Sequence, residues 1–188
     1  MSPLNIYYMD VHKYKNCIKI VLVGDSEVGK SALINRFCLG RYLDIYVPTI
    51  GIEKNYISAH QDTRRCTLEL WASSGNERYK VIYSHFYKDA KGIIIVYDIT
   101  KRESFLHIKK WIGDIQLYAE PSSIVFLIGS KSDLEGRRAV AYEEGKSLAD
   151  SLGYPFLEVS ARSSMNLENS FLTITRIINC NQRLSMSF

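Results

Sequence analysis

The chain has 188 residues, 46% of them hydrophobic and 23% charged, with a formal net charge of +4. This length suits one domain with a full core, and the composition is that of a soluble globular protein. The mild positive charge includes no long basic run, so no nucleic-acid partner is expected. The four cysteines show no zinc or CxxC spacing.

Residues 1–14 read as a polar, tyrosine-bearing N-terminal extension without the basic-then-apolar layout of a secretory signal. The first apolar, β-branched run is Ile18–Val23, a strand, followed by a helical pattern over Lys30–Leu39. Ile52–Ala59 and Thr67–Trp71, joined by a turn around His60–Arg64, predict an antiparallel hairpin at one edge of a sheet. Strand-sized runs then recur at Ile93–Tyr97, Val125–Ile128 and Phe156–Val159. They alternate with helical patterns over Ser104–Tyr118, Tyr142–Ser151 and Asn166–Asn179. From about Cys180 the chain reads as a short frayed tail, 180–188, leaving 15–179 as the domain. Most strands show little polar alternation, as expected when both faces are covered. The order predicts an α/β fold in three layers: a mostly parallel six-stranded sheet, one antiparallel edge strand, and helices on both faces. No apolar run approaches the ~18 residues of a membrane span.

The segment Gly24-Asp25-Ser26-Glu27-Val28-Gly29-Lys30-Ser31 matches GxxxxGK[ST] in full, between a strand and a helix. The glycines let successive backbone N–H groups turn inward around phosphate oxygens, and the helix N-terminus adds partial positive charge. Ser26, Glu27, Val28, Gly29, Lys30, Ser31 and Ala32 are the expected phosphate-binding residues. Lys30 supplies a point charge, and the Ser31 hydroxyl is a ligand for Mg²⁺. By itself this loop does not choose between kinases, ATPases and other users of nucleoside triphosphates.

The base is read elsewhere. Gly129-Ser130-Lys131-Ser132-Asp133-Leu134 and Ser160-Ala161-Arg162 follow two predicted strands, at the carboxyl ends where open α/β sheets bind ligands. A carboxylate at Asp133 can accept from guanine N1–H and N2–H₂ together, a donor pair that adenine lacks. The stem of Lys131 can lie over the ring, and a backbone N–H near Ala161 can meet the guanine carbonyl. Ser130, Lys131, Asp133, Leu134, Ser160, Ala161 and Arg162 are the candidate base-binding set, with GTP and GDP as ligands.

With these residues in place, the chain resembles the Ras superfamily of small GTPases, and within it the Rab family. The likeness runs from about Lys15 to Asn179. It is carried by the phosphate loop, Pro48-Thr49-Ile50-Gly51-Ile52-Glu53, Leu68-Glu69-Leu70-Trp71, Glu77-Arg78-Tyr79, Phe86-Tyr87-Lys88-Asp89-Ala90 and Val96-Tyr97-Asp98-Ile99-Thr100. The resemblance implies a P-loop G domain. Thr49 would ligate Mg²⁺ and meet the γ-phosphate, Tyr42 would pack on the guanine, and Tyr46 would cover the phosphates. Gly75 would contact the γ-phosphate. It also implies two loops held only while γ-phosphate and Mg²⁺ are bound. Effectors would read those loops, and an exchange factor and a GTPase-activating protein would act on the cycle.

The departures from the family are specific. Ala72-Ser73-Ser74-Gly75-Asn76-Glu77 stands where the family has Asp-Thr-Ala-Gly-Gln-Glu. Ala72 cannot orient a water on Mg²⁺, although the Ser73 hydroxyl offers a partial substitute. Asn76, the candidate catalytic residue, keeps the amide that positions the attacking water but is one methylene shorter. Such positioning is nearly the whole of phosphoryl-transfer catalysis, and intrinsic rates are already only roughly 10⁻⁴ per second. Slow hydrolysis is therefore expected. Ser130 replaces an asparagine beside the base. Lys54 replaces an apolar residue of the surface triad that it would form with Trp71 and Phe86, which alters partner choice. The C-terminus, Arg183-Leu184-Ser185-Met186-Ser187-Phe188, carries no prenylation box, so it does not support a lipid anchor. A cytoplasmic switch protein, at most visiting the cytosolic face of membranes, is the leading expectation. A pseudo-GTPase scaffold acting through protein contacts is the alternative.

Overall fold

The computed structural model describes residues 17–44, 48–61, 64–74 and 83–185. Six strands form one sheet: β1 (Cys17–Val23), β2 (Ile52–Gln61), β3 (Arg64–Ser73), β4 (Gly92–Asp98), β5 (Ile124–Ser130) and β6 (Phe156–Val159). Their order across the sheet is β2-β3-β1-β4-β5-β6, with β2 antiparallel to β3 and every other pairing parallel. The chain leaves β1 toward β3 on one side and later toward β4 on the other. The carboxyl end of β1 is thus a topological switch point, the place where such sheets bind ligands.

The helices are α1 (Lys30–Leu39), α2 (Tyr83–Tyr87), α3 (Arg102–Leu106), α4 (Ile108–Tyr118), α5 (Tyr142–Leu152) and α6 (Leu167–Ser185). Alternate residues of β1 feed two cores. Ile18, Ile20 and Leu22 pack with α1 and α6, where the rings of Phe37 and Phe171 stack with centroids 4.2 Å apart. Val21 and Val23 pack on the other face with Phe86, Trp111, Ile115 and Ala149 of α2, α4 and α5. All seven residues of β4 are buried, which explains why its sequence shows no alternation.

Three boundaries differ from the sequence expectation. The helix predicted over Ser104–Tyr118 is two, because the backbone turns at His107 (φ −75°, ψ −6°). α3 also starts earlier: the Ser104 hydroxyl accepts from Asp98 N–H at 3.0 Å and donates to Lys101 O at 2.7 Å. α6 continues as helix to Ser185, past the expected frayed tail from Cys180. The short α2 and a 3₁₀ turn over Ser132–Arg137 were not expected, since five or six residues are too few to carry a helical period. Among the described residues no helix is long and apolar enough to cross a membrane.

The cores are tightly filled beside the ligand edge. A β-carbon on Gly145 of α5 would lie 2.4 Å from the Tyr97 hydroxyl and 2.7 Å from the Phe156 ring. Tyr97 is fully buried and cannot swing away. Gly145→Ala is therefore expected to lower stability by about 1–3 kcal/mol through overpacking, outweighing the ~1 kcal/mol that alanine gains in helix propensity. A denaturant midpoint that rises instead would contradict this packing.

Candidate nucleotide-binding site

The phosphate loop is shaped by two glycines. Gly24 has φ +142°, and a β-carbon there would meet Val96 O at 2.1 Å, so the loop lies directly against β4. Gly29 has φ +100° and caps α1. Glu27 also takes a left-handed backbone (φ 66°), and its exposed carboxylate turns outward to Lys101 Nζ at 2.7 Å. Ser26 is exposed, Val28 is buried, and Ser31 and Ala32 are half-buried in the first turn of α1.

Lys30 is 5% exposed, and its ammonium donates to Gly24 O at 2.8 Å and Asp25 O at 2.5 Å, folding back over the loop. Burial pushes its pKa down to about 7, partly offset by the nearby Asp25 carboxylate. The Asp25 side chain faces the other way. It accepts from Trp111 Nε1 at 3.0 Å and lies 2.7 Å from His107 Nδ1, which ties the loop to the start of α4.

The Ser31 and Thr49 hydroxyls are 2.7 Å apart. The segment around Thr49 thus closes onto α1. Tyr42 is half-buried against the core beneath α1, and Asp44 lies 3.9 Å from Arg162 Nε across the ligand edge. Tyr46, Gly75 and Asn76 lie outside the described residues.

The two segments expected to read the base lie at the ends of β5 and β6. Lys131 takes a left-handed backbone (φ 62°), and its ammonium lies 2.7 Å from Oδ2 of the fully buried Asp98. Its stem passes beside the phosphate loop, with Cε 4.0 Å from the β-carbon position of Gly29. Asp133 is exposed, and its Oδ1 accepts from the buried Ser160 hydroxyl at 2.6 Å; Ser160 Oγ accepts in turn from Ser163 N–H at 3.0 Å. Ala161 is buried, Leu134 half-buried and Arg162 exposed. Ser130 is buried, and its hydroxyl donates to Val28 O in the phosphate loop. The short side chain at this position links the two halves of the site.

Two expectations are corrected here. Ala72 is fully buried in the apolar core under α1, paired with Leu22 and Glu53. Strand alternation places Ser73 on the opposite face of the sheet, and its Oγ has no hydrogen-bond partner among the described residues. Ser73 therefore does not replace a carboxylate at position 72. Nor do Trp71 and Phe86 form an exposed triad with Lys54. Trp71 is 5% and Phe86 1% exposed, and two ammonium groups, those of Lys54 and Lys19, each sit 3.8 Å from the centroid of the Trp71 ring. Lys19 also donates to Lys88 O at 2.7 Å and His85 O at 3.2 Å, holding the end of α2. Lys54 itself is exposed.

The sequence reading missed Asp98, Asp25, His107 and Trp111. Asp98 had a signal, a carboxylate closing an otherwise apolar strand. The pairing of Asp25 with α4 joins residues more than 80 positions apart and had none.

The Ras family model matches residues 19–180. The chain is 45% identical to the Ras-related protein RABD1 of Arabidopsis thaliana, over 87% of this chain and 80% of that protein. It is 43% identical to the Ras-related protein RIC1 of Oryza sativa subsp. japonica, over 86% of this chain and 80% of that one. It is 41% identical to the GTP-binding protein YPTM2 of Zea mays, over 88% and 82% respectively.

The chain belongs to the Ras family. It is a Rab-like small GTPase of the Ras superfamily and a GTP-binding protein.

Two outcomes follow for this Rab-like chain. A polyanion at Lys30 favours its charged form and reverses the burial shift, so GDP binding takes up a proton between the shifted value of about 7 and the ordinary 10.5. Calorimetry in buffers of different ionisation enthalpy should find uptake approaching one proton near about pH 8.5 and fading below about pH 6, with affinity weakening as pH rises. Asp133→Asn exchanges an acceptor pair for one acceptor and one donor, which suits the 2-carbonyl of xanthine rather than the 2-amino group of guanine. Competition binding should show xanthosine diphosphate overtaking GDP.

Proposed function

We propose that this protein is a Rab-type molecular switch that binds GTP and GDP together with Mg²⁺, hydrolyses GTP slowly, and recruits effectors in membrane trafficking. The observation that supports it best is convergence. The phosphate loop, the Thr49 hydroxyl and the Asp133 carboxylate come to one edge of the sheet from three distant parts of the chain.

The donor set suits a weakly held Mg²⁺. Ser31 and Thr49 have hydroxyls 2.7 Å apart, close to the ~3 Å between neighbouring oxygens in an octahedral shell of 2.0–2.1 Å bonds. No cluster of three His, Cys, Asp or Glu side chains among the described residues adds charge to this pair. Bound there, the ion would neutralise phosphate charge. The chain's own part is to present two neutral oxygens, a buried lysine, and the backbone N–H groups of the loop.

Slow turnover rests on two positions. Ala72 is sealed in apolar surroundings and offers no acceptor. Asn76 has the amide of a water-positioning residue on a shorter stem, and a misplacement of about 1 Å costs on the order of 100-fold. Exchange factor, activating protein and effector would meet the exposed residues near Thr49, including Ile50, and the head of Lys54. The sealed Ala72 also favours a second reading, a scaffold that acts through protein contacts, holds nucleotide poorly and turns little of it over.

Single-turnover hydrolysis of bound GTP distinguishes these readings from an ordinary switch. The expected rate constant is well below roughly 10⁻⁴ per second, and Asn76→Gln alone should recover only part of the deficit. A wild-type rate at or above that level would refute impaired hydrolysis. Nucleotide extracted from the purified protein should be GTP for a locked switch, GDP for a working hydrolase, and none for a scaffold.

A further inference from the structure

The guanidinium of Arg138 uses all five of its N–H groups. Nη1 and Nη2 form a fork on Glu158, each at 2.7 Å; Nε and Nη2 reach Glu135 at 2.8 and 2.6 Å; Nη1 also reaches Val140 O at 2.9 Å. Glu158 is nearly buried on β6, and its carbonyl accepts from Asn166 Nδ2 at 2.9 Å. A bidentate pair with little solvent access is rigid as well as strong.

Its place in the fold gives this cluster a further meaning. Arg138 directly follows the 3₁₀ turn Ser132–Arg137, and Asp133 lies near the start of that turn. The turn is therefore fastened to β6 at both ends, by Asp133 to Ser160 and by Arg138 to Glu158. The latter two β6-side residues are only two positions apart. Asp133 is itself exposed, so the Ser160 hydrogen bond and the turn's backbone set its direction. If the far fastening is cut, the turn pivots on the near one, and the carboxylate loses its angle to a planar base.

We infer that Arg138, through its fork on Glu158, is a positioning residue for guanine selectivity. It touches no nucleotide and acts by holding Asp133 in the plane of two donors. This rests on the reading of Asp133 as the guanine acceptor.

The test compares GDP with inosine diphosphate, which keeps N1–H and lacks the 2-amino group. A merely structural clamp would speed release of both nucleotides equally. A positioning residue would erode the difference between them. In Arg138→Gln, GDP release is expected to accelerate about tenfold, with inosine diphosphate affected far less, so that the ratio of the two affinities falls about fivefold or more. Arg138→Lys restores charge without the fork and should recover only part of the ratio. Glu158→Gln keeps the bonds to Glu135 and Val140, and decides the matter if Arg138→Gln does not fold by thermal melt. A ratio unchanged from wild type in a folded variant overturns the inference. A wild-type protein that does not prefer GDP over inosine diphosphate overturns the reading of Asp133, and the inference with it.

Discussion

Gly24 lies so close to β4 that the carbonyl oxygen of Val96 stands where a β-carbon would be. That contact seats the phosphate loop against the sheet at the switch point between β3 and β4. The left-handed turn at Gly29 then starts α1 directly behind the loop. The remaining site residues are arranged around this fixed loop. Ser130 fastens it to β5, Asp25 to α4, and Glu27 to the loop before α3.

The fastenings are polar and connect elements that are remote in sequence. Asp98 is fully buried, yet its two oxygens are occupied, one by Thr100 N–H and hydroxyl at 2.8 and 2.7 Å, the other by the Lys131 ammonium at 2.7 Å. Burying a carboxylate without such partners would be prohibitive. Once satisfied, it holds Lys131 in a left-handed backbone that a free loop would seldom adopt. The same economy recurs at Ser160, whose single hydroxyl donates to Asp133 and accepts from Ser163. The ligand edge is thus preorganised by small residues, while the apolar cores below supply most of the stability.

The departures from the family have unequal structural consequences. At Ser130 a shorter side chain preserves a link to the phosphate loop. At Ala72 the side chain belongs to the apolar core with Leu22 and Leu33, and among the described residues Ser73 does not stand in for a carboxylate there. At Lys54 an ammonium sits against the ring of Trp71, which is itself buried.

The sequence by itself determined the order of the strands along the chain, the helices that follow β1, β5 and β6, the antiparallel edge and the phosphate loop. These depend on local signals: apolar runs of strand length, helical periods and a glycine pattern in a strand–helix context. Lys30–Leu39 and Phe156–Val159 were legible to the residue. Asp133 stood out because it follows a strand end, and the structure sets its carboxylate against the Ser160 hydroxyl. What only the tertiary structure decided were relations between distant residues. Trp111 donates to Asp25, Arg138 grips Glu158, Ser73 falls on the wrong face to stand in for position 72, and Trp71 has two lysine ammonium groups against its ring. A side chain's partner depends on which strand ends the sheet order brings together, and that order is a property of the packed chain rather than of any window along it. The loop at Gly24–Ser31 could therefore be recognised from eight residues, whereas the polar links that frame it required the whole fold.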